Sequence, residues 1–114
     1  MQQAARPTST LTADQRRLLT TLKGLEEEEN WQGVVNLERE LLALATTVRG
    51  AHALHGVLGS AFQGLGKYAR AREMHEKHKA MAEALGDRAG VVTACGNLGN
   101  CYFSMGLCAS ARDA

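Results

Sequence analysis

The stretch LHGVLGSAFQGLGKYARAREMHEKHKAM, residues 54–81, decides the fold. Large and small apolar residues alternate along it at helical spacing, and Gly66 interrupts the middle. Its order Leu58-Gly59, Phe62, Gly66, Ala71 returns forty residues later as Leu98-Gly99, Tyr102, Gly106, Ala111. Of the eighteen positions from His55 to Arg72, seven are identical in that later copy: 56, 58, 59, 66, 69, 71 and 72. Ser60/Asn100, Ala61/Cys101, Phe62/Tyr102 and Leu65/Met105 are near-equivalents. A shift of 37 in the other direction sets Leu25 under Phe62, Trp31 under Tyr68, Val34 under Ala71 and Leu37 under Met74. This first copy is the weakest match, as expected of a terminal repeat with one face toward solvent.

A period of this length describes a pair of helices, and the local signals place them. Thr12 and Gln15 have the form of a capping box, so a helix is expected over 13–28, with Leu18, Leu22 and Leu25 as its buried stripe. Trp31, Val34, Leu37, Leu41, Leu44 and Val48 step by three and four and predict a second helix over 31–48, ended by Gly50. A third is expected over 51–65, a turn at Gly66 and a fourth over 67–85. Gly86 then stops that helix and Asp87 caps a fifth over 88–105. Gly106 is expected to turn it again, into a sixth helix from Leu107. The implied architecture is all-α: a solenoid of antiparallel helix pairs, about three repeats, the last one cut short. Residues 1–11 read as a leader, 12–50 as a degenerate first pair, 51–90 as a full repeat and 91–114 as a partial one, a piece of a longer array. Within a pair, Gly59 or Gly99 and Ala71 or Ala111 are small where helices must approach, and Phe62 or Tyr102 fills the space beside them.

Composition narrows the function classes. Hydrophobic residues make up 45% of 114, with only two Phe, two Tyr and one Trp, a mix that favours close-packed helices over a β-sandwich. The net charge of +1 gives no electrostatic case for nucleic acid. The most apolar run, 34–48, carries Glu38, Arg39 and Glu40, which rules it out as a membrane span. Cys95, Cys101 and Cys108 are odd in number and contain no CxxC pair, so a reducing, cytoplasmic setting is expected, with the thiols acting as small buried apolar groups. His75 and His78 stand three apart, but no further ligands complete a zinc site. With His52 and His55 they read as core or inter-helix histidines. No metal or other cofactor is expected, and Glu26–Glu29 reads as a solvated helix end.

The pattern resembles the tetratricopeptide repeat: a Leu-Gly pair, an aromatic three residues on, Gly, then a small Ala, here at Leu58-Gly59, Phe62, Gly66 and Ala71, with Tyr68 as a second aromatic. The longer period of 37 to 40, with Gly96-Asn97-Leu98-Gly99-Asn100, is similar to the Leu-Gly-Asn class that includes the G-protein signalling modulator scaffolds. The resemblance implies a right-handed superhelix whose concave face is lined by the first helix of each pair. On the fifth helix Thr93, Asn97, Asn100 and Ser104 step by four, three and four along one side, opposite an expected buried stripe of Ala94, Cys95, Leu98, Tyr102 and Met105. An Asn amide both donates and accepts, so a row of these suits an extended peptide backbone. Ser60 and Gln63 of the middle copy and Arg16 and Lys23 of the first are expected to join that face. The reading is a non-enzymatic adaptor binding a protein or peptide ligand, with self-association through the incomplete last pair expected. The alternative is a regulatory or oligomerisation array of a larger enzyme or signalling receptor.

Overall fold

A computed structural model describes residues 11–48 and 50–113, with side chains as far as Gly106. All regular structure in them is helical: α1 Ala13–Glu27, α2 Trp31–Val35, α3 Glu38–Thr47, α4 Ala53–Gly64, α5 Tyr68–Leu85 and α6 Arg88–Asp113. The leader expected over 1–11 lies, except for Leu11, outside the described residues. At the first helix start the capping box is closed both ways. Gln15 N donates to Thr12 Oγ1 at 3.1 Å, and Thr12 N donates to Gln15 Oε1 at 2.9 Å.

One kind of turn ends α1, α4 and α5. The backbone takes positive φ at Glu29 (55°), Gly66 (79°) and Gly86 (72°). In each case the next N–H reaches back five residues: Asn30 to Leu25 O, Lys67 to Phe62 O and Asp87 to Ala82 O, all 2.8 Å. This closes the last helical carbonyls and reverses the chain. The shift of 37 that aligns the first two copies sets Glu29 under Gly66, so both copies turn at the same place, although the first has no glycine there. A Cβ in this conformation costs about 1 kcal/mol or slightly more.

The helices pack in sequence, α4 on α5 and α5 on α6, while α4 also meets α2, α3 and α6. One core runs through them, including Leu22, Val34, Leu41, Leu44, Leu58, Phe62, Ala71, Met74 and Cys101. Two close contacts lie between α4 and α5. A Cβ added at Gly59 would sit 2.5 Å from the His75 ring, and one at Gly56 would sit 2.7 Å from His78. Each imidazole thus occupies the space of a missing side chain, and the pairing order is that of antiparallel helices. Arg70 stacks over the Phe62 ring at 4.8 Å and pairs with Glu38, tying α5 to both α4 and α3.

Two expected elements are corrected. The helix expected over 31–48 breaks at Asn36–Leu37, where Leu37 N bonds Val34 O at 3.0 Å instead of the carbonyl four residues back. Gly33 and Asn36 are weak helix formers, and Asn36 engages its side chain with Gln32 Nε2 at 3.0 Å. The apolar stripe survives the break, because Val34, Leu41 and Leu44 stay buried on either side of it. The second correction concerns Gly106, which does not turn: α6 runs through it to Asp113. Continuing a helix closes one hydrogen bond per residue, whereas a turn is repaid only by burying a second helix.

Two stability tests follow from these turns and contacts. Glu29→Gly should raise the urea midpoint, with a gain of about 0.5–1 kcal/mol from relieving the positive φ; a drop would mean that the residue is unstrained. Gly59→Ala should cost about 1–3 kcal/mol, because the His75 ring is fully buried and has nowhere to move. The equivalent Gly99→Ala, where an added Cβ meets nothing within 4 Å, should instead gain up to about 1 kcal/mol in dilute solution. Equal effects at the two sites would contradict the packing described.

Candidate functional site

Where α1 ends beside α4 and α6, the helices enclose a groove of about 290 Å³. It is lined by Glu26 of α1, Trp31 of α2, Ala53, Gly56, Val57 and Ser60 of α4, His78 of α5, and Thr93 and Asn97 of α6. Helical spacing explains why α4 and α6 contribute as they do. Ala53, Gly56, Val57 and Ser60 fall at i, i+3, i+4 and i+7, and Thr93 and Asn97 at i and i+4, one face in each case. Trp31 is held at the rim by a small neighbour: a Cβ at Gly64 would stand 2.6 Å from its Nε1. A second concavity of about 310 Å³ lies between α1, α3 and α4, lined by Leu19, Leu44, Val48, Leu54 and others. Ala53 and Val57 line both, so the crevice and the groove share an apolar wall.

Of the residues expected on the concave face, Ser60, Thr93 and Asn97 come together here. Asn100 is exposed and Ser104 half-buried, both on α6 but outside the groove lining. Gln63 is half-buried, and its Oε1 accepts from Cys101 Sγ at 3.5 Å, joining α4 to α6. Arg16 and Lys23 stand exposed on α1, away from the lining; Arg16 Nη1 donates to Leu11 O at 2.6 Å. Trp31, Glu26 and His78 line the groove without having been expected to. The available signal for Trp31 is Gly64, a glycine on α4 whose missing side chain the indole replaces.

The buried stripe of α6 is corrected. Ala94 and Cys101 are fully buried, but Tyr102 is 51% exposed and Cys95 also faces solvent. The buried arc is centred on the pair seven apart, Ala94 and Cys101, and the next residue in each case lies about 100° further round the helix. Burial pushes the Cys101 thiol pKa up, which keeps it protonated and unreactive. The side chain of Cys108 lies outside the described residues.

All four histidines are buried between α4 and α5 or at their ends. His52 Nε2 donates to Asp87 Oδ2 at 2.8 Å, and Asp87 Oδ1 accepts from Gly90 N at 3.0 Å, so the cap of α6 is fastened to the start of α4. That bond to His52, ahead of the one from Gly90, holds the Asp87 carboxyl below its ordinary range. His55 Nδ1 donates to His52 O at 3.2 Å. Neither ring nitrogen of His75 or His78 has a hydrogen-bond partner among the described residues. Burial lowers the pKa of both rings, and that of His55. At His55 the bond to the His52 carbonyl opposes this lowering, while the Lys77 and His52 side chains add to it; His78 adds to it at His75, and His52 and His55 at His78, where Asp87 opposes. Among the described residues no three His, Cys, Asp or Glu side chains converge as a metal site requires, and no helix is long and apolar enough to cross a membrane.

Residues 51–114 match the family described as tetratricopeptide repeat, over more than half of the chain. No curated protein and no solved structure matches it.

The buried rings set a pH dependence whose sign is fixed. Their folded pKa values lie below the ordinary 6.5, so below that pH the unfolded chain binds more protons and stability falls as pH falls. Above it these rings are neutral in both states and contribute no slope. Each ring adds at most about 1.4 kcal/mol per pH unit. The urea midpoint at pH 5.5 should therefore lie clearly below that at pH 7.5. Equal midpoints, or imidazole NMR signals titrating at the ordinary value, would show the rings to be solvated.

Proposed function

Since the chain belongs to the tetratricopeptide repeat family, whose repeats generally mediate protein–protein interactions, we propose that it is a non-enzymatic adaptor holding a peptide segment of a partner in the α1–α4–α6 groove. The observation that carries this reading is the convergence of Ser60, Thr93 and Asn97 beside an apolar crevice with which the groove shares a wall. Asn97 offers two donors and an acceptor, and Ser60 and Thr93 each one donor and acceptor, enough to satisfy successive peptide groups of an extended segment. The crevice beside them takes an apolar side chain of the same segment. Among the described lining residues Glu26 alone is charged at neutral pH, which favours a neutral or basic ligand over an acidic one. The repeat length of 37 to 40 and the run Asn97-Leu98-Gly99-Asn100 support placement in the Leu-Gly-Asn class. The cysteine pattern supports a cytoplasmic setting.

A displayed library of random twelve-residue peptides, selected on the immobilised chain, tests the groove directly. Selected peptides should be neutral or basic with an apolar anchor. Asn97→Ala should weaken them about 5–10-fold, the loss of one peptide-group contact, and Val57→Arg, which fills the shared wall, should weaken them more. Peptides that bind both variants as tightly as the parent would place binding elsewhere on the molecule.

A further inference from the structure

Helix α6 carries no Asp, Glu, Lys or Arg between Arg88 and Arg112. Its outer side is nonetheless open to solvent: Val92 is 72% and Phe103 69% exposed, and Gly96 and Gly99 lie exposed between them. Steps of four, three and four set these residues in a single stripe. The internal repeat shows what such a face is built for. Its counterpart on α4 is His52, Gly56, Gly59 and Gln63, and there the rings of His78 and His75 lie against the two glycines. On α6 a Cβ at Gly96 or Gly99 meets nothing within 4 Å. A helix-packing face is present, and among the described residues no helix lies on it.

The stripe also reads the same in both directions. A two-fold axis passing between Asn97 and Leu98 sets Val92 opposite Phe103 of a second copy, and Gly96 opposite Gly99. Large side chains then flank a saddle of glycines in which two backbones approach closely, and each contact occurs twice, as an isologous interface requires. Because the stripe is free of charge, pairing it with itself buries no ion, whereas a charged partner would leave one unpaired. At the rim, Tyr102 Oη donates to Glu76 Oε2 at 3.4 Å, giving the apolar stripe a polar border. We propose that this stripe is the contact between two copies of the chain, an antiparallel α6–α6 pair. Thr93 and Asn97 lie about 100–140° round the helix from the stripe, so pairing leaves the groove open. It does not depend on what the groove binds. The contact covers three turns, about 17 Å of helix, less than a standard interface, so the dimer is weak, with a Kd on the order of 10–100 µM.

Sedimentation velocity on the full chain from about 5 µM to about 1 mM should show the mass climbing from monomer toward dimer across that Kd range. Val92→Lys and Phe103→Glu should each hold the chain monomeric with helicity unchanged by circular dichroism, since both positions are exposed. An equimolar mixture of the two variants should recover dimers, because the antiparallel register places the introduced ammonium against the introduced carboxylate. A wild-type chain that stays monomeric throughout overturns the proposal, as does a dimer that survives both substitutions. A mixture that fails to recover overturns the antiparallel register.

Discussion

Two imidazole rings stand where two glycine side chains would be, and the rest of the molecule is spaced by that contact. With His75 against Gly59 and His78 against Gly56, α4 and α5 approach more closely than two helices with ordinary side chains at the crossing could. The cost is four buried ring nitrogens without partners among the described residues, about 1–3 kcal/mol for each group left truly unsatisfied. The gain is a close-packed planar contact over backbone that a flexible chain would fill less completely. Keeping the rings neutral is part of the arrangement, because a proton on either would bring a charge into the same dry space. The spacing set here fixes the edge of α4 that α6 leans on, and with it the width of the groove.

The hydrogen bond between His52 and Asp87 extends the same pair outward. Asp87 caps α6 and at the same time reaches the start of α4, so the helix bearing Thr93 and Asn97 is oriented by a side chain from the preceding repeat. On the other side, Arg70 spans from the Phe62 ring to Glu38 and holds α3 against the pair. The exposed Arg70–Glu38 contact is worth little as an ion pair. Its use is directional: it keeps α3, and so the apolar crevice wall at Leu44 and Val48, in place.

The period, the helix pairs and the caps at Thr12 and Asp87 were legible because each rests on local rules acting on a few adjacent residues. What escaped has an identifiable physical reason in each case. Glu29 hides a glycine-type turn, since a carboxylate side chain says nothing about positive φ. The break at Asn36 leaves the apolar stripe intact, and stripe periodicity by itself predicts one helix. Gly106 holds the repeat position of Gly66, but a glycine permits a turn without demanding one. On the site, Ser60, Thr93 and Asn97 were recoverable because side chains four apart share a face. Arg16 and Lys23 were placed on that face by extending the repeat across its weakest alignment. Trp31 and His78 escape because a bulky residue in an apolar stripe reads as core, while both also form part of an open surface.

Where the copies agree they build the core, and where they differ they set the surface. Val57 of α4 becomes Asn97 of α6, turning an apolar groove wall into one that can hold a peptide group at both ends. His52 and Gln63 become Val92 and Phe103, turning a face closed by α5 into an uncharged stripe bounded by large side chains. Both changes fall on one helix that carries no formal charge across its middle, so neither face has to desolvate an ion to be used. The buried line of Ala94 and Cys101 holds that helix against α4 and α5 while its other two sides stay available. The chemistry open to this chain is therefore concentrated in α6, and it is set by the positions at which the third copy departs from the second.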